Sequence, residues 1–132
     1  MLRTDNAPAV KYLKDYQAPD FSVDDLKLLF QIEAGKTTVT ATQKMTRTNA
    51  AAKTLRLDGE KMALVSVKRD GKALTAGADY TLDDTGLTIL NADSMTLEII
   101  TEIEPEKNTA LEGLYASGGN YCTQCEPEGF RK

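Results

Sequence analysis

Hydrophobic and polar residues alternate with a period of two over most of this chain. In the first long stretch, residues 21–34, the apolar side chains fall on one face: Leu26, Leu28, Phe30 and Ile32. A period of two is that of a β-strand, whose side chains point alternately to opposite faces. Gly35-Lys36 predicts a turn, and the threonine-rich residues 37–47 predict a second strand, because β-branched threonine suits a half-solvated strand.

Shorter alternating stretches follow. We predict strands near residues 55–57, 62–68, 80–82 and 87–90, punctuated by the strong turn signals Asp58-Gly59 and Asp70-Gly71. The most regular stretch begins at Met95 and places five residues on one face: Met95, Leu97, Ile99, Thr101 and Ile103. Pro105 ends it, since proline cannot donate to a strand ladder. Seven or more strands without a convincing helical pattern predict an all-β fold of antiparallel sheets, as in a sandwich.

The chain length predicts a single β domain, and the two ends of the chain differ from its middle in composition. The chain has 132 residues, enough to bury a core without help from a metal or a disulfide. Residues 1–20 have no period and are predicted to be an extended leading segment, followed by a β domain over residues 21–132. Residues 108–132 hold both cysteines and four of the nine glycines. They predict an irregular C-terminal loop, and long irregular segments in compact domains often carry function.

Composition excludes several functions. The chain contains no histidine, so it cannot form a Ser-His or Cys-His nucleophile pair or an imidazole zinc site. Its 16 basic and 20 acidic residues give a net charge of −4, and the basic residues are scattered, so no nucleic-acid partner is expected. Apolar runs are far shorter than the roughly 20 residues that span a bilayer. With no signal-peptide pattern and only two close cysteines, a cytoplasmic location is expected.

Three other motifs are interpreted as structural. Gly35-Lys36-Thr37 resembles the end of a phosphate-binding loop, but it lies in a predicted hairpin and lacks the earlier glycine. The acidic stretch around Asp79, Asp83 and Asp84 does not have the ligand spacing of a calcium loop. Glu98, Glu102 and Glu104 share one strand face and are interpreted as solvated charges, not as a catalytic pair.

The C-terminal loop offers two candidate chemistries. Cys122-Thr-Gln-Cys125 could supply half of a tetrahedral zinc site or a redox pair, but the other ligands and the βαβ context are missing. We therefore interpret both cysteines as structural. Gln124 and Glu126 are two residues apart, so on an extended backbone they would point the same way. Together they could receive a cationic group such as a substrate ammonium.

Two segments carry a resemblance to a known family. NTALEGLYASGGNYCTQCEPEGFRK (residues 108–132) and KYLKDYQAPDF (residues 11–21) resemble the bacterial aminopeptidase N family. These are gluzincin-type zinc aminopeptidases, also called alanyl aminopeptidases. The two segments cover about 36 residues closely, while residues 22–107 match in strand pattern more than in identity. The resemblance implies a saddle-like or sandwich β domain at the N-terminus of a larger peptidase.

The resemblance also implies which residues act. Family members use zinc held by His-Glu-x-x-His and a downstream glutamate, and none of these ligands is present here. Zinc is therefore expected in the full-length enzyme and not in this chain, which would hold no catalytic or metal-binding residue. Gln124 matches the glutamine that lines the pocket for the first substrate side chain, and Glu126 matches the glutamate that binds the free α-ammonium.

The expected partners follow from the same resemblance. They are peptides with a free N-terminus and the catalytic domain of the same polypeptide. The β domain of the family continues beyond the position of Lys132. The isolated chain is expected to be inactive, because the zinc site and the catalytic domain of the family are missing from it. The alternative is a stand-alone β-sandwich that binds a partner and has no catalytic role.

Overall fold

The computed structural model describes residues 10–125, and over these residues the chain is an antiparallel β protein. The strands are β1 (Phe21–Glu33), β2 (Lys36–Arg47), β3 (Leu55–Asp58), β4 (Ala63–Arg69), β5 (Lys72–Ala73), β6 (Tyr80–Asp83), β7 (Gly86–Ile89), β8 (Met95–Ile103), β9 (Gly113–Ser117) and β10 (Asn120–Gln124). Two short 3₁₀ turns span Leu13–Asp15 and Pro105–Lys107. The prediction of an all-β antiparallel fold is confirmed. None of the described residues forms a helix long and apolar enough to cross a membrane.

The strands form three sheets. The largest has the order β1-β2-β8-β4-β5, the second has the order β3-β7-β6, and β9 and β10 form a separate hairpin. Each neighbouring pair is antiparallel. The predicted turns between β1 and β2 and between β4 and β5 are present. They contain Gly35 and Gly71 at φ +82° and +81°, which glycine adopts without steric cost.

The core lies between the five-stranded and the three-stranded sheet. The buried hydrophobic residues are Phe21, Met45, Leu55, Val67, Leu87, Ile89, Ala92, Met95, Leu97 and Ile99. Ile89 of β7 and Leu97 of β8 are completely buried. The alternation predicted for β8 is confirmed at its N-terminal half, where Met95, Leu97 and Ile99 are buried and Thr96 is exposed.

β1 is an edge strand whose apolar face remains open. Leu26, Leu28, Phe30 and Ile32 lie opposite alternate residues of β2, so they share one face as predicted. Their side chains nevertheless stay 40–52% exposed. Among the described residues β1 pairs with β2 alone, and its only residue in the buried core is Phe21, at the start of the strand.

The prediction of an irregular C-terminal loop is wrong over residues 113–124. These residues form the β9–β10 hairpin, in which Ser117 pairs with Asn120 across a two-residue turn. Gly118 and Gly119 occupy that turn at φ +58° and +82°. A turn with positive φ at both central positions matches the twist of two antiparallel strands and strongly favours glycine. The glycine pair therefore closes a hairpin where the sequence analysis expected irregular chain.

The leading segment has little contact with the core. Residues 10–20 are exposed and contain the 3₁₀ turn Leu13–Asp15. Their end is held by the hydroxyl of Thr48, which donates a hydrogen bond to the carbonyl of Pro19 at 2.7 Å. The division into a leading segment, residues 1–20, and a β domain, residues 21–132, stays a prediction.

A bidentate ion pair ties the edges of the three-stranded sheet together. Arg56 of β3 donates two hydrogen bonds to the carboxylate of Asp83 of β6, at 2.7 and 2.8 Å. This contact, together with hydrogen bonds from Thr85, holds the pKa of Asp83 well below its usual range. A carboxyl whose folded pKa is lowered stabilises the fold above its unfolded pKa and loses that contribution as the pH falls.

We therefore expect the stability advantage of the native chain over Asp83→Asn to be present at neutral pH. It should shrink below pH about 4, the unfolded pKa of aspartate, because the carboxylate of the unfolded chain then gains a proton before that of folded Asp83 does. Urea unfolding midpoints of both chains at neutral and acidic pH measure this. Asp84→Asn is the matched control, because Asp84 is the exposed neighbour in the same turn. An advantage that stays constant across this pH range would contradict the prediction.

Candidate functional site

The open end of the sandwich forms a cleft of about 850 Å³. One wall is the uncovered part of the large sheet, including Leu28, Phe30 and Ile103. The lining also includes Leu114 of β9 and Thr123 of β10. The β9–β10 hairpin, which carries part of the predicted site, therefore borders this cleft.

The hairpin is attached to the large sheet through the 3₁₀ turn Pro105–Lys107. The hydroxyl of Tyr121 in β10 donates a hydrogen bond to Oε1 of Glu106 at 2.5 Å. The backbone N–H of Gly35, in the β1–β2 turn, donates to the same oxygen at 3.2 Å. One carboxylate thus connects the hairpin to the end of the first two strands.

This contact changes the acid–base behaviour of both side chains. Accepting the hydrogen bond from Tyr121 is the main cause that lowers the pKa of Glu106. The same bond is the main cause that raises the pKa of Tyr121, because it is lost when the hydroxyl ionises. At neutral pH the contact therefore joins an ionised carboxylate to a protonated phenol.

Two further hydrogen bonds hold the loop that precedes β9. The side-chain amide of Asn108 donates to the carbonyls of Glu112 and Leu114, at 2.8 and 2.9 Å. Leu111, which lies between Asn108 and Glu112 in the sequence, has a φ of +57°, a conformation that residues other than glycine and asparagine rarely adopt. The two hydrogen bonds from Asn108 hold this tight loop at the start of the hairpin.

The structure places one of the two predicted substrate residues. Gln124 is the last residue of β10, opposite Gly113, and its side chain is exposed. Side chains alternate along a strand, so Gln124 lies on the face opposite Tyr121 and Thr123 and points away from the cleft. Glu126 lies outside the described residues, and the expected shared direction of Gln124 and Glu126 stays a prediction.

The residues that are described do not offer a zinc site. Cys122 and Cys125 are both half-buried and are not joined to each other in a disulfide. No cluster of three or more cysteine, aspartate or glutamate side chains within residues 10–125 could hold a metal ion, and the sequence contains no histidine. The ligand set that the family resemblance implies for zinc is therefore not supplied by this part of the chain.

The acidic side chains that resemble a catalytic pair instead contact lysines. Glu98 lies 3.4 Å from Lys68, and Glu102 lies 3.3 Å from Lys36. Glu104 contacts Lys107 at 2.9 Å. Each of these glutamates is partly exposed, so they fit the interpretation of solvated surface charges.

Sequence reasoning missed the residues that fix the hairpin. Nothing in the pattern pointed to Glu106, because its role depends on contacts with residues 15 and 71 positions away. The hairpin itself had a usable signal in Gly118-Gly119, which lies between two short runs of strand-forming residues.

Three curated proteins are similar to nearly the whole chain. It is 47% identical to aminopeptidase N of Escherichia coli (strain K12) over 125 residues, which are 94% of this chain and 14% of that protein. It is 44% identical to aminopeptidase N of Haemophilus influenzae, over 92% of this chain and 14% of that protein. It is also 44% identical to aminopeptidase N of Caulobacter vibrioides, over 98% of this chain and 15% of that protein. The chain thus spans about one-seventh of the length of these relatives.

Solved structures agree with the sequence comparison. Legionella pneumophila aminopeptidase A, in complex with aspartic acid, matches with a TM-score of 0.79 and 28% identity, over 92% of this chain and 15% of that one. An M1 zinc metallopeptidase from Deinococcus radiodurans, bound to the substrate Tyr-Ser-Ala, matches with a TM-score of 0.65 over 85% of this chain and 28% of that one. At 14% identity this second likeness concerns the fold alone. No protein-family model matches the chain. The predicted resemblance is nevertheless confirmed by the curated relatives.

Proposed function

Because this chain is homologous over nearly its whole length to one segment of aminopeptidase N, we propose that it is the N-terminal β domain of a zinc-dependent aminopeptidase. In this proposal the complete polypeptide removes N-terminal residues from peptides. The isolated chain is inactive and contributes the segment that recognises the substrate amine. The observation that carries the proposal is the 47% identity over 125 residues.

The small fraction of the relatives' length that this chain covers supports the proposal that the catalytic groups lie elsewhere in the complete protein. At 14–15% of their length, the chain corresponds to one part of these much larger relatives. The described residues contain no cluster of three or more potential metal ligands, and in this proposal the zinc and the catalytic groups belong to the remaining polypeptide. What this domain offers is a rigid β scaffold with an anchored hairpin at one end.

The proposed site residues follow the hairpin. Gln124 is exposed at the end of β10, where its carboxamide is free to contact the first side chain of a substrate. Glu126 follows two residues later and would accept hydrogen bonds from the α-ammonium. A hydrogen bond between an ionised donor and an ionised acceptor is roughly twice as strong as a neutral one.

A carboxylate in this role selects chain ends. An internal peptide bond, or a blocked N-terminus, presents a neutral amide and leaves the desolvated carboxylate without its counter-charge. Leaving a buried charge unpaired is costly, so such substrates are rejected. The same contact fixes the first residue relative to the reacting bond, which is a positioning effect.

The native protein tests this proposal most simply. An antiserum against the 132-residue chain would be used to capture the protein from its source cells, and its intact mass and peptide sequences would be recorded. We expect a polypeptide several times larger, with His-Glu-x-x-His after residue 132. A native product near 14.4 kDa, the mass of the chain itself, would contradict the proposal and favour a stand-alone binding module.

A further inference from the structure

The two faces of strand β10 make different contacts. The Tyr121 face is attached to the rest of the domain through Glu106, which also accepts the N–H of Gly35. The opposite face carries Gln124, which is exposed. Tyr121 precedes Gln124 by three residues, a distance of about 10 Å along a strand. The anchor thus lies just before the proposed substrate residues.

We propose that Glu106 and Tyr121 are positioning residues that fix the end of β10, and with it Gln124, for recognition of the first residue of the substrate. This inference rests on the proposed function, since it assigns a role to contacts that hold the proposed recognition segment. Neither side chain touches the substrate in this account. They act by fixing the hairpin against the turn between β1 and β2.

The geometry explains why this anchor matters. Within residues 10–125 the hairpin forms its own two-stranded sheet and is not hydrogen-bonded as a strand to either of the other sheets. A two-stranded hairpin alone is marginally stable, and its orientation depends on the contacts around it. The side chain of Glu106 supplies a charged acceptor shared by two donors from different parts of the chain. Such charge-assisted hydrogen bonds are stronger than neutral ones.

The test uses the complete polypeptide, with four single variants and the double variant Glu106→Ala/Tyr121→Phe. Tyr121→Phe removes the hydroxyl, and Glu106→Ala removes the acceptor. Glu106→Gln keeps an oxygen that can accept both hydrogen bonds. Glu104→Ala is the matched control, because Glu104 lies two residues away and contacts Lys107 instead of the hairpin. KM and kcat for an aminoacyl nitroanilide with a free amine are measured for each, together with the Tm.

We expect Tyr121→Phe and Glu106→Ala each to raise KM about threefold to tenfold, the effect of losing one such hydrogen bond. The kcat should change by less than about twofold, because weaker binding of both substrate and transition state appears in KM. The double variant should be no worse than Glu106→Ala alone. Glu106→Gln keeps an acceptor but loses the charge, so its KM should fall between those of the native enzyme and Glu106→Ala. Glu104→Ala should keep KM within about twofold of the native value, since it loses no contact to the hairpin.

The outcomes separate this inference from the proposed function when Glu126→Ala is assayed beside them. If Glu126→Ala raises KM but Tyr121→Phe and Glu106→Ala do not, the positioning role is overturned and the proposed function stands. A fall in Tm without a rise in KM also overturns it, since the contact would then serve stability alone. If Glu126→Ala itself leaves KM unchanged, the proposed function fails and the positioning role fails with it.

Discussion

Replacing Glu126 with alanine in the complete polypeptide is expected to lower kcat/KM for peptides with a free N-terminus roughly 30-fold to 900-fold. This corresponds to a loss of about 2–4 kcal/mol in transition-state binding. The variant loses the carboxylate that would pair with the α-ammonium. It therefore binds both the substrate and the transition state less tightly, so most of the loss should appear in KM. Steady-state kinetics with a series of unblocked dipeptides measure it.

Two further variants sharpen this prediction. Glu126→Gln keeps the size and the hydrogen-bond acceptor but removes the charge, so it should fall between the native enzyme and Glu126→Ala. Asp84→Ala removes an exposed charge on the remote β6–β7 turn and should leave kcat/KM unchanged. A kcat/KM for Glu126→Ala equal to that of the native enzyme would remove Glu126 from the proposed site.

Replacing Leu97 with alanine is expected to destabilise the 132-residue chain by about 2–5 kcal/mol. Leu97 lies in the middle of β8 and is completely buried between the large and the three-stranded sheet. Removing its side chain loses buried apolar contacts and leaves a cavity that the neighbouring strands cannot fully close. This would be a large part of the total stability of a single domain.

Urea unfolding followed by circular dichroism measures the effect of Leu97→Ala. Leu82→Ala is the matched control: it is the same substitution in β6, at a side chain that is 59% exposed. We expect this control to stay within about 0.5 kcal/mol of the native chain. Equal effects of the two substitutions would contradict the placement of the core between these sheets.

The strands could be predicted because their signal is local. The alternation from Met95 to Ile103 gives both the extent of β8 and its buried face, since a strand that is half covered must alternate. The turn-forming residues predicted the connections between strands. Asp70-Gly71, for example, forms the turn between β4 and β5, and both residues have positive φ. These features depend on residues next to each other in sequence.

The exposure of β1 could not be predicted in the same way. Its alternation is as clear as that of β8, yet Leu28 and Phe30 are 45% and 40% exposed. The pattern identifies which face is apolar, but whether that face is covered depends on the position of the strand in the sheet. β1 lies at an edge, next to the open cleft, and neither fact is encoded within residues 21–33.

The substrate-binding roles of Gln124 and Glu126 stay predictions from resemblance. The structure shows that Gln124 is exposed at the end of an anchored strand. The anchor itself was invisible in the sequence, because Gly35, Glu106 and Tyr121 meet only once the sheets have formed. The error over residues 113–124 arose from treating Gly118-Gly119 as a sign of irregular chain instead of a hairpin turn.

The central claim is that this domain recognises the free α-amine of a substrate. The most direct test compares inhibition of the complete enzyme by an amino-acid amide and by its analogue without the amine, in the native protein and in Glu126→Ala. We predict that the native enzyme strongly prefers the amine-bearing inhibitor. In Glu126→Ala this preference should fall by at least about 30-fold, as expected for loss of a charge-assisted contact. A preference that is the same in both proteins would contradict the claim.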